Sequence, residues 1–288
     1  MEWEDGDRYG DVEDRRGLGP VHIAGGGLGG LVLGLVGYYF LGLNPFAVMN
    51  VVNHYTPVLE QHGRTGSPAD RMGRFVDTIL SSTTAVWTTQ FETMGKSYRQ
   101  PNPLVLYDRA TGTGCGLGQS AMGPFYCPRD RRVYLDLEFY RELGTRFRAP
   151  GDFAQAYVLA HEVGHHVQQL LGTGDRVQRL EQGARSETDA NRYSVSFELQ
   201  ADCYAGVWAA HASEVSSGRV SLEPGDLEEG LRAAAAIGDD TLQRQTRGRV
   251  MPDSFTHGTA AQRQRWLQTG YSTGDINACT TFNGNFAP

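Results

Sequence analysis

The stretch from Asp152 to Gly172 limits what this chain can fold into more than any other. Phe153, Tyr157, Ala160, Gly164, Val167 and Leu171 repeat at helical spacing, Asp152 with Gln155 three residues later can cap the start, and Gly172 ends the run. Ala160, Val163, Gly164 and Val167 leave His161, Glu162 and His165 without neighbouring charges, which predicts a buried helix. Two histidines, His161 and His165, sit in that buried part, where polar side chains need a reason to be present. Four residues apart on a helix, they project from one side one turn apart, so two imidazole nitrogens can reach one zinc ion at about 2.0 to 2.1 Å. Glu162 points one residue round the helix, where it can meet metal-bound water without being a ligand. His166 faces elsewhere and reads as structural.

Catalytic zinc usually takes three protein ligands and leaves one position for water. A third histidine on the same helix would need glycine at position 168 and histidine at 171, but those residues are Gln168 and Leu171. The alternative is a glutamate from a second helix. Val195, Leu199, Cys203, Gly206, Val207 and Ala210 have helical spacing, and that segment carries Glu198 and, one turn later on the same face, Asp202. Glu198 is the expected third ligand of one zinc per chain. Asp202 is placed to accept the second N–H of a zinc-bound histidine and so fix its tautomer. Apolar flanks at Phe197, Leu199, Ala201, Cys203 and Tyr204 argue against a merely solvated acidic face.

The remaining sequence sets the frame. Length allows one sizeable domain with an appendage, and a net charge of -7 gives no reason to expect nucleic acid as a partner. Ile23 to Leu43 runs 21 residues without a charge, long enough to cross a bilayer, although eight glycines dilute its hydrophobicity. Arg8, Arg15 and Arg16 precede the run and the first arginine after it is Arg64, which predicts a cytoplasmic N-terminus. No cleavage motif follows, so the expectation is an uncleaved single-pass anchor in the cell membrane with the body of the protein outside the cytoplasm. The expected organisation is a tail over 1–22, a transmembrane helix over 23–43, a linker over 44–66 and a domain over 67–288 opening with a helix after Ser67-Pro68. Leu104–Tyr107 and Val133–Leu137 read as strands, and the segments after Asp152 as mainly helical, giving an α+β domain that is mostly helix with a small sheet. Four cysteines outside the cytoplasm favour pairing, Cys115 with Cys127 and Cys203 with Cys279, and none is spaced as a CxxC zinc site.

His161, Glu162, His165, Glu198 and Asp202 match the HExxH and ExxxD motifs, and the helix pair resembles the glutamate-ligand zincins. More specifically, the chain is similar to the bacterial neutral zinc metallopeptidase family of YpfJ-like single-pass proteins, from Val12-Glu13-Asp14-Arg15-Arg16-Gly17 to Thr256-His257-Gly258-Thr259. Further matches are Gly123 to Pro128, Val133 to Leu137 and Glu198 to Ala209. The resemblance implies a zincin-like fold and peptidase activity on a peptide or protein substrate. Such zincins place a histidine or another donor downstream of the third ligand to stabilise the oxyanion; His257 resembles that element, with Arg263 in reserve. In the expected reaction Glu162 removes a proton from zinc-activated water and passes it to the leaving amine. Two rivals keep the zinc: a catalytically silent binding or assembly module, and a hydrolase of non-peptide bonds.

Overall fold

A computed structural model describes residues 1–4, 11–18 and 62–282. The described residues divide into two compact units, one of residues 1–4, 69–100 and 140–282, the other of 11–18, 62–68 and 101–139.

The first unit is helical. Its strand β1 (Glu2–Trp3) pairs antiparallel with β9 (Val220–Ser221), and Trp3 sets its ring edge-on to Phe75, with centroids 5.3 Å apart. Phe75 belongs to α1 (Arg71–Thr93), which starts where Asp70 accepts from the Gly73 N–H at 3.0 Å. Next come α2 (Leu137–Thr145), which begins in the other unit, α3 (Asp152–Leu170), α4 (Thr173–Gln182) and α5 (Glu187–Val215), and then α6 (Asp226–Ala236), α7 (Asp239–Arg247) and α8 (Ala260–Thr273). The helix α3 is buried from Phe153 to Gln168 except Gln155 and His165, as the apolar residues that flank its histidines lead one to expect. Its start differs from expectation. Gly151 is the cap and Asp152 is the first helical residue, accepting from the Trp3 indole at 3.2 Å, so no capping box with Gln155 forms. A true capping box opens α8, where Thr259 and Gln262 bond reciprocally at 3.1 and 2.8 Å.

Close approach of backbones sets the packing around α5. A side chain at Gly164 of α3 would place its first carbon 3.1 Å from the Ala201 carbonyl, and one at Gly270 of α8 would fall on the Cys203 carbonyl. Glycine at position 270 is required for this approach, and glycine at 164 spares α3 and α5 a tight contact. The Cys203–Cys279 disulfide then ties α5 to the segment after α8.

The second unit holds a five-stranded mixed sheet in the order β3 (Arg64–Gly66), β2 (Val12–Asp14), β4 (Asn102–Tyr107), β8 (Arg132–Asp136), β7 (Phe125–Cys127). The pairs β2–β4 and β4–β8 are parallel, and the outer two are antiparallel. Opposite residues Phe125 and Tyr134 stack with centroids 5.0 Å apart over a core that includes Val105, Tyr107 and Cys127. A hairpin of β5 (Ala110–Thr113) and β6 (Gly116–Gln119) carries Cys115, which is bonded to Cys127.

Glu13 of β2 is buried, and it accepts from the Arg15 Nε and the Gly63 N–H at 2.8 Å each, with Arg132 as a further partner. Burial alone would raise its carboxyl; the Arg15 and Gly63 hydrogen bonds and the charges of Arg15 and Arg132 outweigh it and hold the group down to about 2. A depressed carboxylate stabilises the fold above its unfolded pKa and loses that contribution as pH falls through the folded one. We therefore expect urea stability to decline by about 3 kcal/mol between pH 5 and pH 2 through this group alone, at about 1.4 kcal/mol per pKa unit. Subtracting the same titration for Glu13→Gln isolates it, and identical pH profiles would remove the assignment.

The sheet also corrects the membrane reading. The stretch 23–43 lies outside the described residues, and among the described residues no helix is long and apolar enough to cross a membrane. Val12–Asp14 before that stretch pairs directly with Arg64–Gly66 after it. A single crossing would put two neighbouring strands of one sheet on opposite sides of a bilayer. The N-terminal single-pass transmembrane helix, the cell-membrane location and the membrane as a partner through that helix are therefore not upheld. Glu2–Trp3 and Val12–Asp14 are strands of the two units rather than a free tail, and Arg64–Gly66 is a strand rather than linker. What stands is a mixed α/β chain with eight helices and small sheets among its described residues.

Candidate metal centre

Three side chains from two adjacent helices converge. His161 and His165 on α3 present their Nε2 atoms to Glu198 of α5, at 3.2 Å from Oε2 and 3.5 Å from Oε1 respectively. One donor atom from each lies within 4.8 Å of the others. Donors held tetrahedrally at about 2.1 Å from one ion stand about 3.4 Å apart, so both His–Glu spacings match zinc coordination. Two imidazoles and a carboxylate, mostly but not wholly buried and with no lysine or arginine among them, fit zinc by donor chemistry as well.

Behind His161 stands a charged assembly. Asp202, fully buried, accepts at Oδ1 from the His161 Nδ1 (2.8 Å), the Tyr157 hydroxyl (2.6 Å) and the Arg263 Nη2 (2.9 Å), and at Oδ2 from the Arg263 Nε (2.9 Å). Arg263 Nη2 also donates to the Tyr157 oxygen at 3.2 Å, which leaves that hydroxyl's proton for Asp202. Burial would raise the Asp202 carboxyl, but Arg263 and His161 hold it down to about 2. As an ionised acceptor it fixes the His161 proton on Nδ1 and turns Nε2 to Glu198. Burial disfavours charge on His161, yet Asp202 and Glu198 push its pKa up to about 10. Glu198 is held well below the carboxylate range against its own burial, by the charges of His165 and His257 and by hydrogen bonds from His161 and His165. The carboxylates thus favour positive charge at this point.

His165 is placed differently. Its Nδ1 lies 2.9 Å from Oε1 of Gln168, and its ring stacks on Phe197 with centroids 5.0 Å apart. Glu162, one residue after His161, is buried; burial and the charge of Glu198 raise its carboxyl against the pull of His161 and His165. His257 lies in the loop before α8. One oxygen of Asp239 accepts the consecutive N–H groups of Thr256, His257 and Gly258 at 2.8, 2.6 and 3.0 Å, and the other stands 3.4 Å from the His257 Nδ1. Burial works against charge on His257, but Glu198 and Asp239 raise its pKa. His166 bonds the Arg99 carbonyl at 2.6 Å, away from the cluster.

The structure therefore gathers His161, His165, Glu198 and Asp202 with Glu162, and sets His257 within the field of Glu198. Arg263, 3 % exposed, gives its Nε and Nη2 to Asp202 and Tyr157 and its Nη1 to the Ile237 carbonyl at 3.5 Å, partners that favour support of Asp202 over the reserve role at an oxyanion. Sequence reasoning missed Tyr157, Gln168 and Asp239. Tyr157 and Gln168 do lie at helical spacing from His161 and His165, four residues before and three after, which is the signal that could have found them. Asp239 has no local signal, since its partners lie 17 to 19 residues away.

Comparison with known proteins agrees with a zinc site at the level of the family. The model of the family described as "Putative neutral zinc metallopeptidase" matches residues 1–282. The uncharacterized protein YpfJ of Escherichia coli K12 is 48 % identical over 294 aligned residues, covering 98 % of this chain and 99 % of that one. The uncharacterized protein Rv2575 of Mycobacterium tuberculosis is 44 % identical over 257, covering 84 % of each. No solved structure matches the chain. A family match over almost the whole length, joined to a His–His–Glu cluster, places the chain in the neutral zinc metallopeptidase family.

Proposed function

We propose that this chain hydrolyses peptide bonds with one zinc ion held by His161, His165 and Glu198, and with Glu162 as the general base. The observation that carries the reading is the convergence of those three donors from two helices with a carboxylic acid one residue from the first. When bound, zinc supplies a Lewis acid that acidifies water and polarises the scissile carbonyl. Glu162 takes the proton of the attacking water and delivers it to the amine that leaves; burial raises its carboxyl, which suits a group that must both accept and release a proton. His257, whose charged form Glu198 and Asp239 favour and whose loop is clamped by Asp239, donates to the carbonyl oxygen as negative charge develops there. Asp202 orients His161 and takes no part in proton transfer.

A structural zinc would need a fourth protein donor. Among the described residues no further His, Cys, Asp or Glu joins the three, and all four cysteines are bonded in pairs. This favours hydrolysis over a silent binding module. Metal analysis tests the centre: one zinc per chain in the wild type, and loss or severe weakening in His161→Ala, His165→Ala and Glu198→Ala, because two ligands do not hold zinc tightly. Full occupancy in Glu198→Ala beside an empty His161→Ala would assign the third ligand elsewhere. Turnover of a peptide library against ester and non-peptide amide substrates separates peptidase from other zinc hydrolase chemistry, and cleavage confined to the latter would overturn the peptide reading.

A further inference from the structure

We infer that Gln168 is the positioning residue of His165, a neutral amide that keeps the proton on Nδ1 and frees Nε2 for the metal. The inference rests on the reading of His165 as a ligand, and the hydrogen-bond chemistry fixes it without any assumption about the amide's orientation. The Phe197 carbonyl only accepts, so the Gln168 atom 2.7 Å from it is the amide nitrogen. That nitrogen's second hydrogen goes to Gln200 Oε1 at 3.0 Å. Gln200 is oriented in turn by the Cys279 carbonyl, 3.0 Å from its own nitrogen. Two backbone carbonyls, one direct and one relayed, therefore point the Gln168 oxygen the other way, at His165 Nδ1, 2.9 Å off. An oxygen cannot donate, so Nδ1 carries the hydrogen.

Gln168 is fully buried and Gln200 nearly so, which keeps water from offering His165 another partner. The relay's far end is held as well, because Cys279 is bonded to Cys203 on α5. Without Gln168 the ring would share its proton between the two nitrogens and rotate, and the form protonated on Nε2 cannot bind metal there. An amide also suits the local charge. His161 is oriented by the carboxylate of Asp202, and Glu162 and Glu198 stand close by; a fourth carboxylate behind His165 would add repulsion, whereas an amide fixes the tautomer at no net charge.

The test reads the His165 ring and zinc affinity separately. In metal-free wild-type protein, nitrogen-15 imidazole spectra should show a protected, slowly exchanging proton on His165 Nδ1. Gln168→Met, which keeps the volume and removes the acceptor, should lose that protection and weaken zinc by about 10 to 100-fold in chelator competition, the usual effect of losing a partner behind a ligand. Gln200→Met should shift both readouts the same way but less, since the Phe197 carbonyl still holds the amide. A wild-type His165 without a proton on Nδ1 overturns the inference whether or not any variant folds. So does Gln168→Met with both protection and affinity intact, and that result leaves the metal centre standing. A wild type that keeps the proton but binds no zinc supports the hydrogen-bond assignment while refuting the metal centre.

Discussion

Glu162→Gln is expected to lower peptide turnover by about 10² to 10⁴-fold, the usual contribution of a positioned general base, while zinc stays at one per chain. Glutamine matches glutamate in size, so the buried surroundings of Glu162 on α3 need not rearrange. Its amide cannot take a proton from water, and Glu162 is not among the three converging donors, so the two readouts should separate. Loss of zinc together with activity would mean that Glu162 supports the site structurally. Undiminished turnover would place the base elsewhere. The buried Tyr140, whose hydroxyl has no hydrogen-bond partner among the described residues and feels the charge of Glu162, is a poor substitute, since burial pushes its phenol far up. Glu162→Asp refines the result: the base remains but is withdrawn by one methylene, and an intermediate loss in kcat with unchanged zinc would show that position matters as well as basicity.

The two site helices were readable because burial leaves a plain imprint: apolar residues at helical spacing around His161 and His165, and around Glu198 and Asp202, have few explanations. The helix expected over Asp152 to Gly172 is found over Asp152–Leu170, and the shift at its start arises because Trp3, distant in sequence, takes the Asp152 carboxylate. The N-terminal region was misjudged for the converse reason. Val12–Asp14 is three residues long, too short for periodicity to act on, and its acidic residues suggest solvent. Glu13 is nonetheless buried, because Arg15 and Arg132 neutralise it, and Arg132 lies 119 residues on. With those strands invisible, the uncharged run 23–43 dominated the reading by length alone. The partners around the metal donors show the same limit: Gln200 meets Cys279 across 79 residues and Arg263 meets Asp202 across 61, contacts that helical spacing does not contain.

Arg263→Met should be the most damaging substitution outside the three donors and Glu162, destabilising the metal-free protein by about 3 to 5 kcal/mol, the range for removing one partner of a buried ion pair. Asp202 is wholly buried, and Arg263 meets it with two nitrogens at 2.9 Å each. Methionine fills similar space but leaves the carboxylate with the His161 and Tyr157 hydrogen bonds alone. Arg263 is the strongest influence holding Asp202 ionised against its burial, so without it the carboxyl rises and tends to protonate. A protonated Asp202 accepts poorly from His161 Nδ1, and zinc affinity should fall along with stability. Arg263→Lys should recover only part of both, because an ammonium cannot match two oxygens side by side as a guanidinium does. The decisive comparison is the double variant Asp202→Asn with Arg263→Met. With both charges gone, neither side of the pair is left buried and unpaired, so its urea midpoint should lie well above the sum of the two single losses. Simple additivity, or an Arg263→Met protein within about 1 kcal/mol of wild type, would mean that the guanidinium is a bystander and that His161 owes its orientation to Asp202 and Tyr157 without it.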